Sequence, residues 1–177
     1  MIDPPWHEQG AGVCKRGADK HYTLIKTVEE IEQVIRRSGV FNPDLDGAHL
    51  YLWVTNNHLP DGLVLMSSLG FRYVTNLCWA KPSYGLGRYF RGQHELCLFG
   101  VVGKFMQPTL RTLGTLIHAP KRRHSEKPVE VIRIIEQASP EPRLEMFASG
   151  PRVGWTTWGK VGESEVTIDG GVQQTAL

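Results

Sequence analysis

The sequence predicts an α/β domain with a mostly parallel sheet. Two observations carry that expectation. Short apolar runs rich in branched and aromatic residues alternate with segments that bear helix-capping signals. The 177 residues, 41% hydrophobic and 21% charged, are enough for one soluble domain with a real core.

Residues 7–26 are polar and glycine-containing and read as a loop. In "TVEEIEQVIRRSG" Thr27 and Glu30 form a capping-box pair and Gly39 suits the stop, so a helix is expected there. "AHLYLWVT" (48–55) reads as a buried strand. A helix over 59–69 ends at Gly70, and "FRYVTNLCWAK" and "HELCLFGVV" (94–102) follow as strands. Residues 103–124 read as one long basic loop, of a length that is usually functional or disordered. Pro128 suits the first turn of a helix running to about Gln137. "RLEMFA" and "GWTTWG" are the last two strands. Ahead of Asp3 only Met1 and Ile2 remain to build the strand that should precede it, so the N-terminal strand is expected to be truncated.

Charge is unevenly spread. Between Gly62 and Ser125 the chain carries Arg72, Lys81, Arg88, Arg91, Lys104, Arg111, Lys121, Arg122 and Arg123 against a single acid, Glu95. That span is +8 in a chain of net charge +2, which points to a polyanionic partner; a solvated surface of mixed charge is the plainer alternative. Cys14, Cys78 and Cys97 show no paired spacing, and no apolar run approaches a membrane span. A reduced, cytoplasmic chain without a membrane segment is expected. His94-Glu95 is not a zinc signature, and no metal is expected.

The stretch "DPPW" (3–6) holds the most chemistry. Two prolines fix φ and lack amide hydrogens, leaving their carbonyls as acceptors, and the Asp3 carboxylate adds another. Trp6 offers a flat apolar face worth about 1–3 kcal/mol in stacking. These groups suit a planar heterocycle bearing an NH2 group. Two acceptors draw its hydrogens out of plane and return the nitrogen lone pair for attack on an electrophilic methyl. Taken alone, the four residues fit better a Pro-Pro turn or polyproline segment beside a core tryptophan.

Read with the other segments, the chain resembles the adenine-N6 methyltransferases that carry D-P-P-W, a family with eukaryotic mRNA-modifying and phage or bacterial DNA-modifying branches. "DPPW", "KHYTLIKTVEEI", "LYLWVTNNH", "GFRYVTNLCWAKP", "RGQHELCLFGVVGK", "RRHSEKPVEVIRIIE" and "RLEMFASGPRVGWTTWG" match its motifs in one order from residue 3 to about 160. The resemblance implies a Rossmann-like fold, circularly permuted so that the catalytic motif precedes the cofactor motifs. It implies S-adenosyl-L-methionine as cofactor, a methyltransferase domain over 1–162 and a C-terminal tail over 163–177. By the same resemblance Asp3, Pro4, Pro5 and Trp6 are catalytic. Asp3, Tyr22, Lys127, Glu145, Phe147 and Ser149 lie toward the cofactor, with Lys127 a candidate for its carboxylate.

Trp53, Trp79, Lys81 and Glu95 line the base pocket, although both tryptophans fit a pure core role as well. Arg88, Arg91, Lys121, Arg122 and Arg123 are expected to meet nucleic acid, with a merely solvated loop the alternative for Lys121, Arg122 and Arg123. Tyr84, Tyr89 and Phe90, interleaved with Arg88 and Arg91, suit a loop reaching for unstacked bases, or a lid over the cofactor. The implied reaction is methylation of the adenine N6 amine in DNA, with the base flipped into the pocket. RNA is the second candidate substrate. A catalytically weak nucleic-acid-binding partner subunit is a reading of a different class, and the basic span argues against a methyltransferase for a small molecule or protein. A homodimer, or a heterodimer with a related subunit, is expected. The chain departs from the family pattern in three places: the hydrophobic strand before D-P-P-W is absent, Ser149 stands where many relatives have arginine, and Lys160-Val161 stands where relatives have Asn-Glu or Asn-Gln. These bear on cofactor affinity more than on catalytic chemistry.

Overall fold

The computed structural model describes residues 1–7, 27–85, 89–104, 112–121 and 126–159. The chain forms two compact units, one of Met1–Asn42 with Pro142–Leu177 and one of Pro43–Glu141.

The second unit is built on a four-stranded sheet. Its strands are β1 (Gly47–Val54), β2 (Arg72–Ala80), β3 (His94–Gly103) and β4 (Leu116–His118), in the order β1-β3-β2-β4. β1 and β3 are antiparallel from Gly47↔Gly103 to Val54↔Leu96, and β2 and β3 are antiparallel from Arg72↔Val101 to Ala80↔His94. Only β2 and β4 run parallel, pairing Cys78 with Leu116 and Ala80 with His118. The mostly parallel sheet read from the sequence is therefore mixed in this unit. The reason is the link at 81–93: it returns the chain as a hairpin instead of crossing over through a helix, which forces antiparallel pairing.

β4 also corrects the reading of 103–124 as pure loop. Three residues with a single buried side chain, Ile117, show no periodicity; the partner's backbone makes them a strand. The continuous burial from Leu50 to Val54 and from Cys97 to Val101 fits strands covered on both faces.

Helix α2 (Leu59–Ser68) follows a 3-10 turn at Asn56–His58 and buries Leu65 and Met66. Its approach to the sheet depends on Gly62, where a Cβ would stand 2.3 Å from Val54 Cγ1. Helix α3 (Val129–Ala138) buries Val131, Ile132 and Ile135, and Pro128 sits at its N-cap, one residue earlier than the sequence pattern suggests. Ser139 ends α3 and ties it to β1, its Oγ lying 2.8 Å from His49 Nδ1 and 2.9 Å from the Tyr51 hydroxyl. Burial pushes the Tyr51 hydroxyl up to about 12, with Cys97 adding to the rise and the Ser139 bond opposing it.

In the first unit, helix α1 (Val28–Arg37) begins as expected. Thr27 Oγ1 accepts from the Glu30 N–H at 3.2 Å, Glu29 and Glu30 occupy the first turn, and Arg36 and Arg37 the last. Ile31 and Ile35 are its buried stripe, and Gly39 follows with φ +75°. Strands β5 (Leu144–Met146) and β6 (Thr156–Trp158) pair in parallel, and Ile2 pairs with Met146, also in parallel. The first residues thus act as a third strand on this small sheet: Met1 N donates to Leu144 O at 2.6 Å, Met146 N to Met1 O at 2.9 Å, and Asp3 N to Met146 O at 3.4 Å.

No helix among the described residues is long and apolar enough to cross a membrane. At Gly62 an added methyl has no room, and Val54 is a stiff branched residue in a buried strand. Overpacking of about 1–3 kcal/mol exceeds the roughly 1 kcal/mol of helix propensity that alanine returns. Gly62→Ala lowers the unfolding free energy by about 1 kcal/mol, read as an earlier urea midpoint at unchanged slope.

Candidate functional site

Chemistry-bearing residues gather at one place in each unit. In the first unit, Ile2 and Met146 are a parallel pair, so Asp3 and Phe147, the residues that follow them, leave the sheet at the same end. That is the C-terminal end of parallel strands, where α/β sheets hold ligands.

Beyond Asp3 the chain turns at once. The Trp6 N–H donates to the Pro4 carbonyl at 2.9 Å, closing a three-residue turn centred on Pro5, whose ring already fixes φ near the required value. Pro4 and Trp6 are buried, while Asp3 and Pro5 are half-buried. The expectation of a Pro4 carbonyl wholly free of the chain needs correction, because one acceptor direction serves this turn. A carbonyl oxygen has two lone pairs, so this one bond does not exhaust its accepting capacity.

Phe147 has φ +61°, a left-handed conformation that costs a bulky residue about 1–3 kcal/mol. Its surroundings hold it there: the Ala148 N–H donates to Trp158 O at 2.9 Å, and the Phe147 and Trp158 rings meet edge to face at 5.4 Å. Strain of this kind collects at ligand sites. Glu145, two residues earlier, has both carboxylate oxygens engaged by Arg152, Nε at 2.6 Å and Nη2 at 3.3 Å. The Arg152 guanidinium also lies 5.9 Å from the Trp155 ring centroid. Sequence reasoning missed Arg152; a partner seven residues away across an irregular turn leaves no pattern to find. Ser149 is exposed.

In the second unit the strands bring Trp53, Trp79, Lys81 and Glu95 together, and the residue before α3's cap adds Lys127. Trp79 is registered opposite Glu95, and Trp53 opposite Cys97 on the other side of β3. The two indoles meet edge to face at 6.3 Å, and Trp79 Nε1 donates to Ala119 O at 2.9 Å. Both rings are buried, Trp53 at 1% and Trp79 at 4% exposure, so they are core as well as wall.

Glu95 lies between two ammonium groups. Lys81 Nζ donates to its Oε1, and Lys127 Nζ is 3.5 Å from its Oε2. Each lysine also stands over an indole, Lys81 at 4.5 Å from the Trp79 centroid and Lys127 at 5.2 Å from that of Trp53. Burial pushes the Glu95 carboxyl up, but the Lys127 and Lys81 charges and their hydrogen bonds outweigh it and hold the group below the ordinary carboxylate value. Two cations thus face this one carboxylate in a partly desolvated place.

Arg91 and Lys121 are exposed and belong to neither cluster. Tyr22, Arg88, Arg122 and Arg123 lie outside the described residues, as do Lys160 and Val161. Among the described residues no group of three or more His, Cys, Asp or Glu side chains is placed to hold a metal ion.

Because the folded protein holds Glu95 ionised more readily than the unfolded chain does, the unfolded state binds more protons at acid pH, and stability falls as pH drops below about 4.5. Glu95→Gln removes the carboxylate that both ammonium groups face and costs about 1–3 kcal/mol at pH 7. The difference between wild type and Glu95→Gln narrows through the range below pH 4.5, as read from urea unfolding at a series of pH values.

Known proteins are similar to this chain in sequence. M.MunI, a type II methyltransferase of a Mycoplasma species, is 34% identical over 117 residues, covering 64% of this chain and 50% of that protein. The human N(6)-adenosine-methyltransferase catalytic subunit METTL3 is 29% identical over 172 residues, covering 90% of this chain and 27% of that protein. The Drosophila melanogaster N(6)-adenosine-methyltransferase MT-A70-like protein is 30% identical over 174 residues, covering 90% and 26%. The chain thus spans half of the first relative and about a quarter of the other two. The MT-A70 family model matches residues 1–161, reaching from the Asp-Pro-Pro-Trp turn to the strand of Trp158, and the chain belongs to the MT-A70 family.

Proposed function

We propose that the chain is an S-adenosylmethionine-dependent methyltransferase acting on the exocyclic N6 amine of adenine in DNA. The observation that carries this reading is the Asp3–Trp6 turn at the end of a parallel strand pairing, in a chain of the MT-A70 family. Asp3 and the second lone pair of the Pro4 carbonyl accept the two amine hydrogens, and Trp6 and Pro5 border the ring. The nitrogen moves toward tetrahedral geometry and its lone pair becomes available. Positioning does most of the work, since no strong base is required before attack.

When bound, S-adenosylmethionine supplies the electrophilic methyl. The residues present fit such a group. The left-handed backbone at Phe147 opens beside Asp3, and Ser149 adds an exposed hydroxyl nearby in sequence. Glu145 is held rigid by Arg152 and so shapes its strand end through that pair. Lys127 has the charge and partial burial suited to a carboxylate, and this reading rests on its own surroundings. Tyr22 keeps its proposed cofactor role by resemblance.

DNA stands ahead of RNA because the chain resembles the phage and bacterial DNA-modifying branch, and its 34% identity with a type II methyltransferase supports that order. RNA is the second reading, favoured by alignment of 90% of the chain with proteins named N(6)-adenosine-methyltransferases. The basic residues at Arg88, Arg91, Lys121, Arg122 and Arg123 serve either polyanion.

Asp3→Ala and, separately, Trp6→Ala each lower methyl transfer about 10²–10³-fold or more; Asp3→Ala keeps its melting temperature, and Trp6→Ala, which truncates a buried ring, melts earlier but keeps the circular dichroism of the folded protein at the assay temperature. Radiolabelled methyl transfer to competing DNA and RNA adenine oligonucleotides ranks the substrates. Full activity in Asp3→Ala protein overturns the mechanism. Failure to bind S-adenosylmethionine at millimolar concentration in calorimetry favours a nucleic-acid-binding partner subunit instead.

A further inference from the structure

The link between β2 and β3 holds a feature that neither cluster uses. Its two limbs stay zipped beyond the sheet: Lys81 N donates to Gln93 O at 2.8 Å, and Gly85 N to Gly92 O at 2.6 Å. Arg91 Nε donates to Gly85 O at 3.2 Å, and its guanidinium lies 5.6 Å from the Tyr84 ring centroid. On this scaffold three aromatic rings face solvent, Tyr84 at 62%, Phe90 at 86% and Tyr89 at 104% exposure.

Tyr89 also has φ 60°, and among the described residues only Phe147 shares that departure for a non-glycine. Left-handed backbone and bare ring surface are both unfavourable, and the Tyr89 and Phe90 rings stay almost wholly exposed among the described residues. Segment 81–93 has no acid; its Lys81 is answered by Glu95, while Arg88 and Arg91 flank the rings in sequence. An apolar protein surface would match the rings but leave the charge unanswered. A free phosphate would match the charge but not the rings. A strand with unstacked bases and a phosphodiester backbone answers both.

We propose that Tyr89 and Phe90 form a stacking wedge for the nucleobases next to the target, with Arg91, braced by Gly85 and Tyr84, set for a backbone phosphate. Extruding a base leaves its neighbours unstacked at a cost of a few kcal/mol, and the two rings replace the lost stacking. The link starts at Lys81, whose ammonium is bonded to Glu95, so the wedge and that cluster are carried by the same pair of strands, β2 and β3. This inference rests on the reading of a nucleic-acid substrate.

The test compares two fluorescein-labelled probes by anisotropy, a single-stranded oligodeoxyadenylate of about 20 nucleotides, longer than one protein's expected footprint, and an abasic strand of equal length. Wild type binds the base-bearing strand at least about tenfold more tightly than the abasic one. Tyr89→Ala/Phe90→Ala loses most of that preference while its abasic-strand affinity and its S-adenosylmethionine affinity stay the same. Tyr89→Gly, which relieves the backbone, weakens base-bearing binding just as Tyr89→Ala does. Unchanged binding in the double variant overturns the wedge, as does a variant that only shifts the protein from dimer to monomer in light scattering, since the rings would then cover a protein partner. Ring-dependent binding without methyl transfer sinks the enzymatic reading and leaves the wedge standing; methyl transfer indifferent to the rings does the reverse.

Discussion

The structure of the first unit depends on a few backbone hydrogen bonds that seat residues 1–3 beside β5. Through them Met1, Ile2 and Asp3 exchange donors and acceptors with Leu144 and Met146. Without this seating Asp3 would be a charged side chain on a loose end. With it, the carboxylate is carried at a fixed level of a parallel sheet, next to the point where Phe147 is forced out of ordinary backbone geometry. The turn at Pro5 then bends the chain so that Trp6 is buried instead of projecting. A four-residue motif thus acquires its geometry from a strand about 140 residues away in sequence.

The second unit solves a different problem, keeping charge inside a mostly apolar sheet. A carboxylate placed alone where Glu95 sits would be protonated or would pull in water. Two ammonium groups prevent that, and the indoles of Trp53 and Trp79 shelter the lysines on their far side. Each cation is satisfied by an anion and by a ring face, so the cluster stays ordered without being neutral.

Much of the fold is legible in the sequence because it rests on local signals. Thr27 and Glu30 announce α1, and the unbroken apolar runs at 50–54 and 97–101 announce central strands. Pairing direction is not legible, since an apolar run reads the same whichever way its neighbour runs; the hairpin at 81–93 decides it. β4 is hidden because one buried isoleucine in three residues makes no pattern. At the candidate site the residue types were legible and their partners were not. That Trp6 would occupy one face of the Pro4 carbonyl, or that Arg152 would claim both oxygens of Glu145, follows from three-dimensional turns that composition does not encode.

The lysines stacked on Trp53 and Trp79 have an optical consequence. Indole emission responds to nearby charge, and these two of the five tryptophans each sit beside an ammonium group on a flexible stem. An anion that draws Lys127 or Lys81 aside changes the electric field across the ring it leaves. The cluster therefore carries a built-in fluorophore pair, and arrival of a negatively charged group there is visible as a spectral change without any attached dye.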